Sequence, residues 1–151
     1  MTTAAPLDPA DADRVRASFA RQTAMATLGI EFVAIDAGAV ELRMPYAARL
    51  TQQHGFIHAG IVSTALDTAC GYAAFSLMPA DAAVLTVEFK VNLLAPARGE
   101  HFVFRARVLK PGRTLTVCEA HAFAQEAGRE KLIASMTGTL MAMHGRDGIA
   151  H

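Results

Sequence analysis

Ala59-Gly60-Ile61-Val62-Ser63-Thr64-Ala65-Leu66-Asp67-Thr68-Ala69-Cys70-Gly71-Tyr72-Ala73-Ala74-Phe75-Ser76-Leu77 is apolar on almost every side and carries one charge. The run is too long for an ordinary strand. Met78-Pro79 closes it, because the residue before a proline is pushed out of the helical region. The spacing predicts a helix from about residue 59 to 77. A helix that is apolar nearly all round is a buried helix. Asp67 therefore stands where an unpaired carboxylate costs several kcal/mol, so it is neutralised, paired or used. Gly60, Ser63, Asp67, Gly71 and Ala74 recur three or four residues apart. They form a stripe of small or polar groups that admits a sheet or another helix at close range.

The segments around this helix read mostly as strands. Residues 84–94 alternate, with Leu85, Val87, Phe89, Val91 and Leu93 on one face and Thr86, Glu88, Lys90 and Asn92 on the other. Pro96-Ala97-Arg98-Gly99 turns the chain. Residues 101–109, 114–124 and 131–143 follow, separated by turns at Lys110-Pro111-Gly112-Arg113 and around Gly128. These four long strands are expected in meander order. Before the helix, 30–35 and 40–44 form a hairpin across Asp36-Ala37-Gly38, and 9–27 forms one amphipathic helix ended by Gly29. Arg14, Arg16 and Arg21 are expected on its wet face. The sum is an α+β protein in which an antiparallel sheet wraps one long central helix, with an extra N-terminal helix. A single domain spans 1–151, with 1–10 and 145–151 expected to fray.

Composition narrows the functions. The 151 residues carry 14 basic and 14 acidic side chains, for a net charge of zero. Without a basic block, nucleic acid is not an expected partner. Cys70 and Cys118 lack metal-ligand spacing and are too few for a disulfide framework, so they read as reduced core thiols. The acidic start, with Asp8, Asp11 and Asp13, is not a secretory signal. Asp67 and the small residues around it argue against a membrane span. A cytoplasmic protein is expected, and its surplus apolar surface suggests a homo-oligomer.

Just before the central helix lies a polar turn, Gln52-Gln53-His54-Gly55-Phe56-Ile57-His58. The first amide groups of the helix have no partner inside it and carry the positive end of its dipole. Such an end stabilises an oxyanion when a carbonyl is attacked. Asp67 lies eight residues further on, roughly 12 Å along the axis. It does not comfortably reach a carbonyl held at its own helix start. If both groups serve one site, they come from two chains, with their helices antiparallel across a two-fold axis and two equal sites per dimer.

Gln52-x-x-Gly55-x-x-His58-Ala59-Gly60-x5-Leu66-Asp67 resembles the motif of hotdog-fold acyl-CoA thioesterases, nearest the phenylacetic-acid-pathway (PaaI-like) type. The strand from Leu85 to Ala97, ending in Pro96-Ala97, resembles that family's next segment. The likeness spans nearly the whole chain. It implies the hotdog fold and hydrolysis of an acyl-CoA to a free acid and coenzyme A, in a homodimer or homotetramer. No metal and no cofactor are implied, since coenzyme A belongs to the substrate. Asp67 matches the catalytic carboxylate, a general base or a nucleophile. Gln52 matches the group that bonds the thioester region or the water. Ala59 matches a glycine whose N–H polarises the carbonyl, with Gly60 as the other candidate donor. Thr86 matches a Ser or Thr that orients the water or the carboxylate, from the same chain as Asp67. His54 and His58 are expected near substrate.

One departure stands out: His-Ala-Gly occurs where His-Gly-Gly is usual, and alanine would be strained if that position requires a positive φ. The departure keeps open a non-catalytic acyl-CoA-binding protein. A hotdog dehydratase using His54 and Asp67 is a further alternative. Phe56, Ile57, Tyr72 and Phe75 are expected to shape the acyl pocket. Arg98, Lys110 and Arg113 are either solvated turn charges or contacts for the coenzyme phosphates.

Overall fold

The computed structural model describes residues 5–145 and 148–149. Along the chain run α1 (Pro9–Ala20), α2 (Thr23–Leu28), β1 (Glu31–Asp36), β2 (Ala39–Pro45), α3 (Ala59–Phe75), β3 (Ala82–Leu93), β4 (His101–Lys110), β5 (Leu115–Glu126) and β6 (Arg129–His144). The strands form one antiparallel sheet in the order β1-β2-β4-β5-β6-β3. The sheet curls around α3, which touches β2, β3, β4, β5 and β6. This is the hotdog arrangement.

The inner faces of the strands account for the curl. Leu42, Met44, Phe102, Phe104, Cys118, Ala120, Ala122, Met136 and Leu140 are buried on the helix side. They share one core with Val62, Ala65, Leu66, Ala69, Cys70 and Ala73 of α3. The small side chains of the helix leave room for the two phenylalanines of β4. The alternate residues of β4 and β5, including Arg105, Arg107 and Glu119, stay on the outer face. There Arg105 bridges Glu41 at 2.7 Å and Glu130 at 2.6 Å.

The strand order departs from a meander. β4, β5 and β6 are consecutive neighbours, but β3 pairs with β6 at the far edge. Pro96-Ala97-Arg98-Gly99 is thus a crossover and not a hairpin turn. It is tied to its surroundings at both ends: Ala97 O accepts from Ile57 N at 3.1 Å, and the adjoining Glu100 N donates to Gln125 O at 2.8 Å. Those bonds hold the link across the mouth of the sheet.

The face assignment of β3 also changes. Its register shifts between Thr86 and Glu88, so Val87 is an extra, bulged residue. Before the bulge, Val84 and Thr86 pair with Ala142 and Leu140, whose side chains point inward. After it, Phe89, Val91 and Leu93 pair with the inward Gly138, Met136 and Ala134. Thr86 therefore faces the helix together with Phe89, Val91 and Leu93.

At the N-terminus the expected single helix is broken between Ala20 and Thr23, and Gly29 closes the second piece in the left-handed region at φ 71°. The first piece starts at Pro9, inside the stretch read as frayed. Ala5 O also accepts from Ala37 N at 2.9 Å. Residues 1–4, 146–147 and 150–151 of the expected frayed ends lie outside the described residues.

Arg14 is not a solvated charge. Its guanidinium lies 4.3 Å from the centre of the Phe75 ring and donates to Met78 O at 3.1 Å and Phe75 O at 3.4 Å. Helix C-termini leave carbonyls unpaired, and Arg14 covers those of α3 from α1. Replacing Arg14 by Ala is expected to lower unfolding free energy by about 1–3 kcal/mol, read from urea denaturation. An unchanged midpoint would show that α1 does not cap α3.

Candidate active site

The start of α3 is built by the loop before it. Gln52 N donates to Phe56 O at 2.9 Å, Gly55 N to Gln52 O at 3.0 Å, and His58 N to Leu50 O at 2.9 Å. The loop closes as a tight turn and delivers His58 as the N-cap. The His58 Nδ1 accepts the Gly60 N–H at 2.9 Å, which places the ring proton on Nε2. A Cβ on Gly60 would lie 3.1 Å from that nitrogen, so glycine lets the ring fold back this closely. Ile61 N and Val62 N both bond His58 O. Among the described residues, no acceptor lies on the Ala59 N–H.

This accounting separates the two donor candidates. The Gly60 N–H is held by His58, and the Ala59 N–H is free to meet a ligand. Ala59 is the first residue of an ordinary helix. Among the described residues Ala127 is the non-glycine with positive φ, so alanine at 59 is unstrained. The His-Ala-Gly departure carries no conformational cost.

Ala59 opens on a cleft of about 510 Å³ lined by Gln52, Phe56, Ile57, Val62, Leu93 to Ala97, and Ile133. None of these side chains is charged. The Gln52 Oε1 accepts from His54 N, which fixes the amide and leaves its NH₂ group as a donor. Phe56 and Ile57 line the cleft as expected. Tyr72 and Phe75 do not. They are buried under α1, where Tyr72 packs edge-on against Phe19, Phe32 and Phe75 and its hydroxyl bonds Ser18 Oγ at 3.2 Å. The sequence reading also missed Leu93, Leu94, Ala95 and Ile133 as lining residues. Their signal was the crossover, which runs beside α3 only because β3 sits at the edge.

His54 is exposed and lines a neighbouring hollow of about 420 Å³ with Tyr46, Arg98, Glu100 and Glu126. Phe56 borders both hollows. Arg113 lies elsewhere, beside Leu77 and Met78 at the C-terminal end of α3. Of the three turn cations weighed from the sequence, Arg98 is the one that lines the hollow next to the cleft.

Two turns along α3 is a separate pair. Thr86 Oγ1 donates to Asp67 Oδ1 at 2.8 Å, within one chain. Burial pushes the Asp67 carboxyl above its ordinary value, and the Thr86 hydroxyl partly opposes that. The bulge at Val87 makes this contact, because it turns Thr86 toward the helix while Phe89 and Leu93 keep the same face. Neither Asp67 nor Thr86 lines the cleft at Ala59. One chain thus brings together Gln52 with Ala59, and Asp67 with Thr86, as two separate groups. The buried thiols are inert beside them: burial pushes Cys118 up to about 12 and Cys70 higher still. Among the described residues no group of three or more His, Cys, Asp or Glu is placed to hold a metal.

A curled sheet thus surrounds a helix whose N-terminus opens on an uncharged cleft, with a carboxylate further along. Residues 54–131 match the family model described as the thioesterase superfamily. A thioesterase family protein of Silicibacter pomeroyi is 66% identical, with a TM-score of 0.89 over 89% of this chain and 99% of that one. A relative from Saccharolobus solfataricus that carries an esterase name is 33% identical over 74% of this chain and 72% of that protein. The PaaI protein of E. coli, from the phenylacetic acid degradation operon, shares the fold at a TM-score of 0.81 and 21% identity, over 89% of this chain and 94% of that one. The chain belongs to the thioesterase superfamily.

The raised Asp67 value carries a stability consequence. The folded state binds this proton more tightly than the unfolded chain does. Its contribution is full below the unfolded value and is lost as pH rises through the folded one. Once ionised, the half-buried carboxylate therefore weakens the fold. Asp67→Asn is expected to raise the thermal midpoint at neutral pH, with the gain shrinking as the pH is lowered toward the ordinary carboxylate range. A gain that grows on acidification would contradict the burial argument.

Proposed function

We propose that this chain is an acyl-CoA thioesterase whose site is assembled from two copies, with Ala59 of one facing Asp67 of the other. The observation that carries the reading is the free Ala59 N–H at the mouth of an uncharged cleft, out of reach of its own Asp67. The thioester carbonyl oxygen accepts from Ala59 N–H, and the helix dipole adds to its polarisation. The Gln52 amide bonds the thioester region or the water. Thr86 occupies Asp67 Oδ1 and leaves Oδ2 to take a proton from water as the water oxygen attacks the carbonyl carbon. The tetrahedral oxyanion stays on Ala59 N–H. When it collapses, the C–S bond breaks, the sulfur leaves with its electron pair, and the proton held by Asp67 returns to it.

His58 acts here as the helix cap, and its Nε2–H is the group left to meet substrate. His54 faces the neighbouring hollow with Arg98, on the route a coenzyme phosphate would take, and away from the acyl cleft. That placement gives no support to a dehydratase built on His54 and Asp67. Among the described residues no helix is long and apolar enough to cross a membrane. The buried free thiols suit a reducing compartment, and we place the protein in the cytoplasm.

The test is free-thiol release over aromatic, short and long acyl-CoAs, with two variants. Asp67→Asn is expected to cut kcat by on the order of a hundredfold or more. Ala59→Pro removes the one donor at a position where proline suits a helix start, and His58 already has the extended backbone that must precede a proline. It is expected to cut kcat by on the order of 10²–10³ while the fold stays intact. Binding without thiol release on every substrate, or full turnover in either variant, would sink the proposal.

The same geometry sets a pH profile. The base works only when ionised, so kcat/KM is expected to fall on the acid side at a pH above the ordinary carboxylate range. The Thr86 hydroxyl holds the Asp67 value down. Thr86→Val is therefore expected to move the acid limb to higher pH. A limb that stays put or moves down would mean that Asp67 is not the titrating group.

A further inference from the structure

We infer that the hollow of about 420 Å³ beside the cleft takes the purine base of the coenzyme, with the Glu100 and Glu126 carboxylates accepting from its exocyclic amino group and Arg98 meeting a phosphate. The inference rests on the thioesterase reading above, and it places the part of the substrate that this reading leaves unassigned.

The hollow is preformed. Tyr46 N donates to Glu100 O at 2.9 Å, and the Tyr46 hydroxyl donates to Gly55 O at 3.3 Å. The residue is therefore tied at both ends, between the end of β2 and the loop before α3. Gly99 lets the crossover lie against the end of β5, since a Cβ there would stand 2.9 Å from Gln125 O. That approach, with the bond from Glu100 N to Gln125 O, brings Arg98 and Glu100 to the same hollow as Glu126. Groups held in place before a ligand arrives cost less to order on binding. Gln52 links the hollow to the cleft, because its Oε1 accepts the His54 N–H. Phe56 borders both spaces, so a substrate whose carbonyl lies at Ala59 can lay its far end in the hollow.

The lining selects the ligand. Two carboxylates, Glu100 and Glu126, outnumber the one guanidinium of Arg98, so the interior of the hollow repels a phosphate. Among the described residues these three side chains make no hydrogen bond or ion pair. On the outer face of the sheet, by contrast, Arg105 is bound by Glu41 and Glu130, and Arg107 by Glu119. Three rings, those of Tyr46, His54 and Phe56, supply aromatic surface to the same hollow. A purine is flat and uncharged and stacks on such rings. Adenine also carries an amino group that donates to an acceptor. Of the parts of an acyl-CoA, the base is the one that suits rings and carboxylates together. Its phosphates suit the exposed Arg98 instead.

The test takes the acyl group that the full chain turns over fastest and carries it on three thiols: coenzyme A, the same coenzyme with hypoxanthine in place of adenine, and pantetheine. Thiol release gives kcat/KM for each. The wild type is expected to favour the adenine coenzyme over the hypoxanthine form by about tenfold or more, because a carbonyl then faces the carboxylates where the amino group was. In the double variant Glu100→Gln, Glu126→Gln, the ratio of kcat/KM for the coenzyme A thioester to that for the pantetheine thioester is expected to fall about tenfold. The preference for adenine is expected to shrink to within about twofold. Equal rates on the adenine and hypoxanthine forms in the wild type overturn the inference. A coenzyme-to-pantetheine ratio that is unchanged in the double variant also overturns it. So does a ratio that rises, the result if a phosphate occupies the hollow and the carboxylates repel it. Those outcomes leave the thioesterase reading standing, whereas no thiol release from any of the thioesters overturns that reading and the inference with it.

Discussion

Within helix α3 the rise per residue keeps Ala59 and Asp67 roughly 12 Å apart along the axis. The sheet grips the helix along most of its length, so it cannot bend to bring them together. Val62, Leu66, Ala69 and Ala73 are buried against the strands, while Ser63, Asp67 and Gly71 stay half-exposed. One chain can therefore present both groups but cannot use them jointly on one carbonyl. The proposed chemistry and its use of a second copy both descend from this fixed separation.

The bulge at Val87 is the second constraint. A regular strand that pointed Phe89, Val91 and Leu93 at the helix would turn Thr86 outward, because side chains alternate with a period of two. One extra residue breaks the alternation and lets a hydroxyl and an apolar surface share a face. The Asp67–Thr86 pair and the apolar wall of the cleft at Leu93 are thus products of one local irregularity. Crossing from that wall to β4, the segment at Ala95 to Ala97 then closes the cleft, through the bond between Ile57 N and Ala97 O. The path of the crossover is part of the site because β3 sits at the edge.

The buried helix, the hairpin and the three strands β4 to β6 were legible in the sequence, because apolar period and turn residues act locally. The separation of Ala59 from Asp67 was legible too, since it needs only a rise per residue. What stayed hidden was non-local. Nothing in Thr86-Val87-Glu88 announces a bulge, and the alternating pattern runs straight through it. Pro96-Ala97-Arg98-Gly99 has the composition of a turn, and only the pairing of β3 with β6 makes it a crossover. Arg14 reads as a surface cation until the end of α3 is placed beside it. Tyr72 and Phe75 pointed to a pocket by size alone, yet α1 covers them. The choice between Ala59 and Gly60 turns on a hydrogen bond that no motif announces: His58 holds the Gly60 N–H, and the Ala59 N–H has no acceptor among the described residues.

Two opposing influences meet at Asp67. Burial raises its proton affinity, and the Thr86 hydroxyl lowers it. A base too weak takes no proton from water, and one too strong is already protonated. In the single chain Thr86 is exposed and Asp67 is half-buried, so water still reaches both. A second copy that brought its Ala59 to Asp67, as proposed, would remove that water and raise the affinity further. Assembly would then do more than bring Ala59 to the carboxylate. It would also shift the proton affinity of the proposed base, so that a lone chain would lack the donor and would hold a weaker base as well.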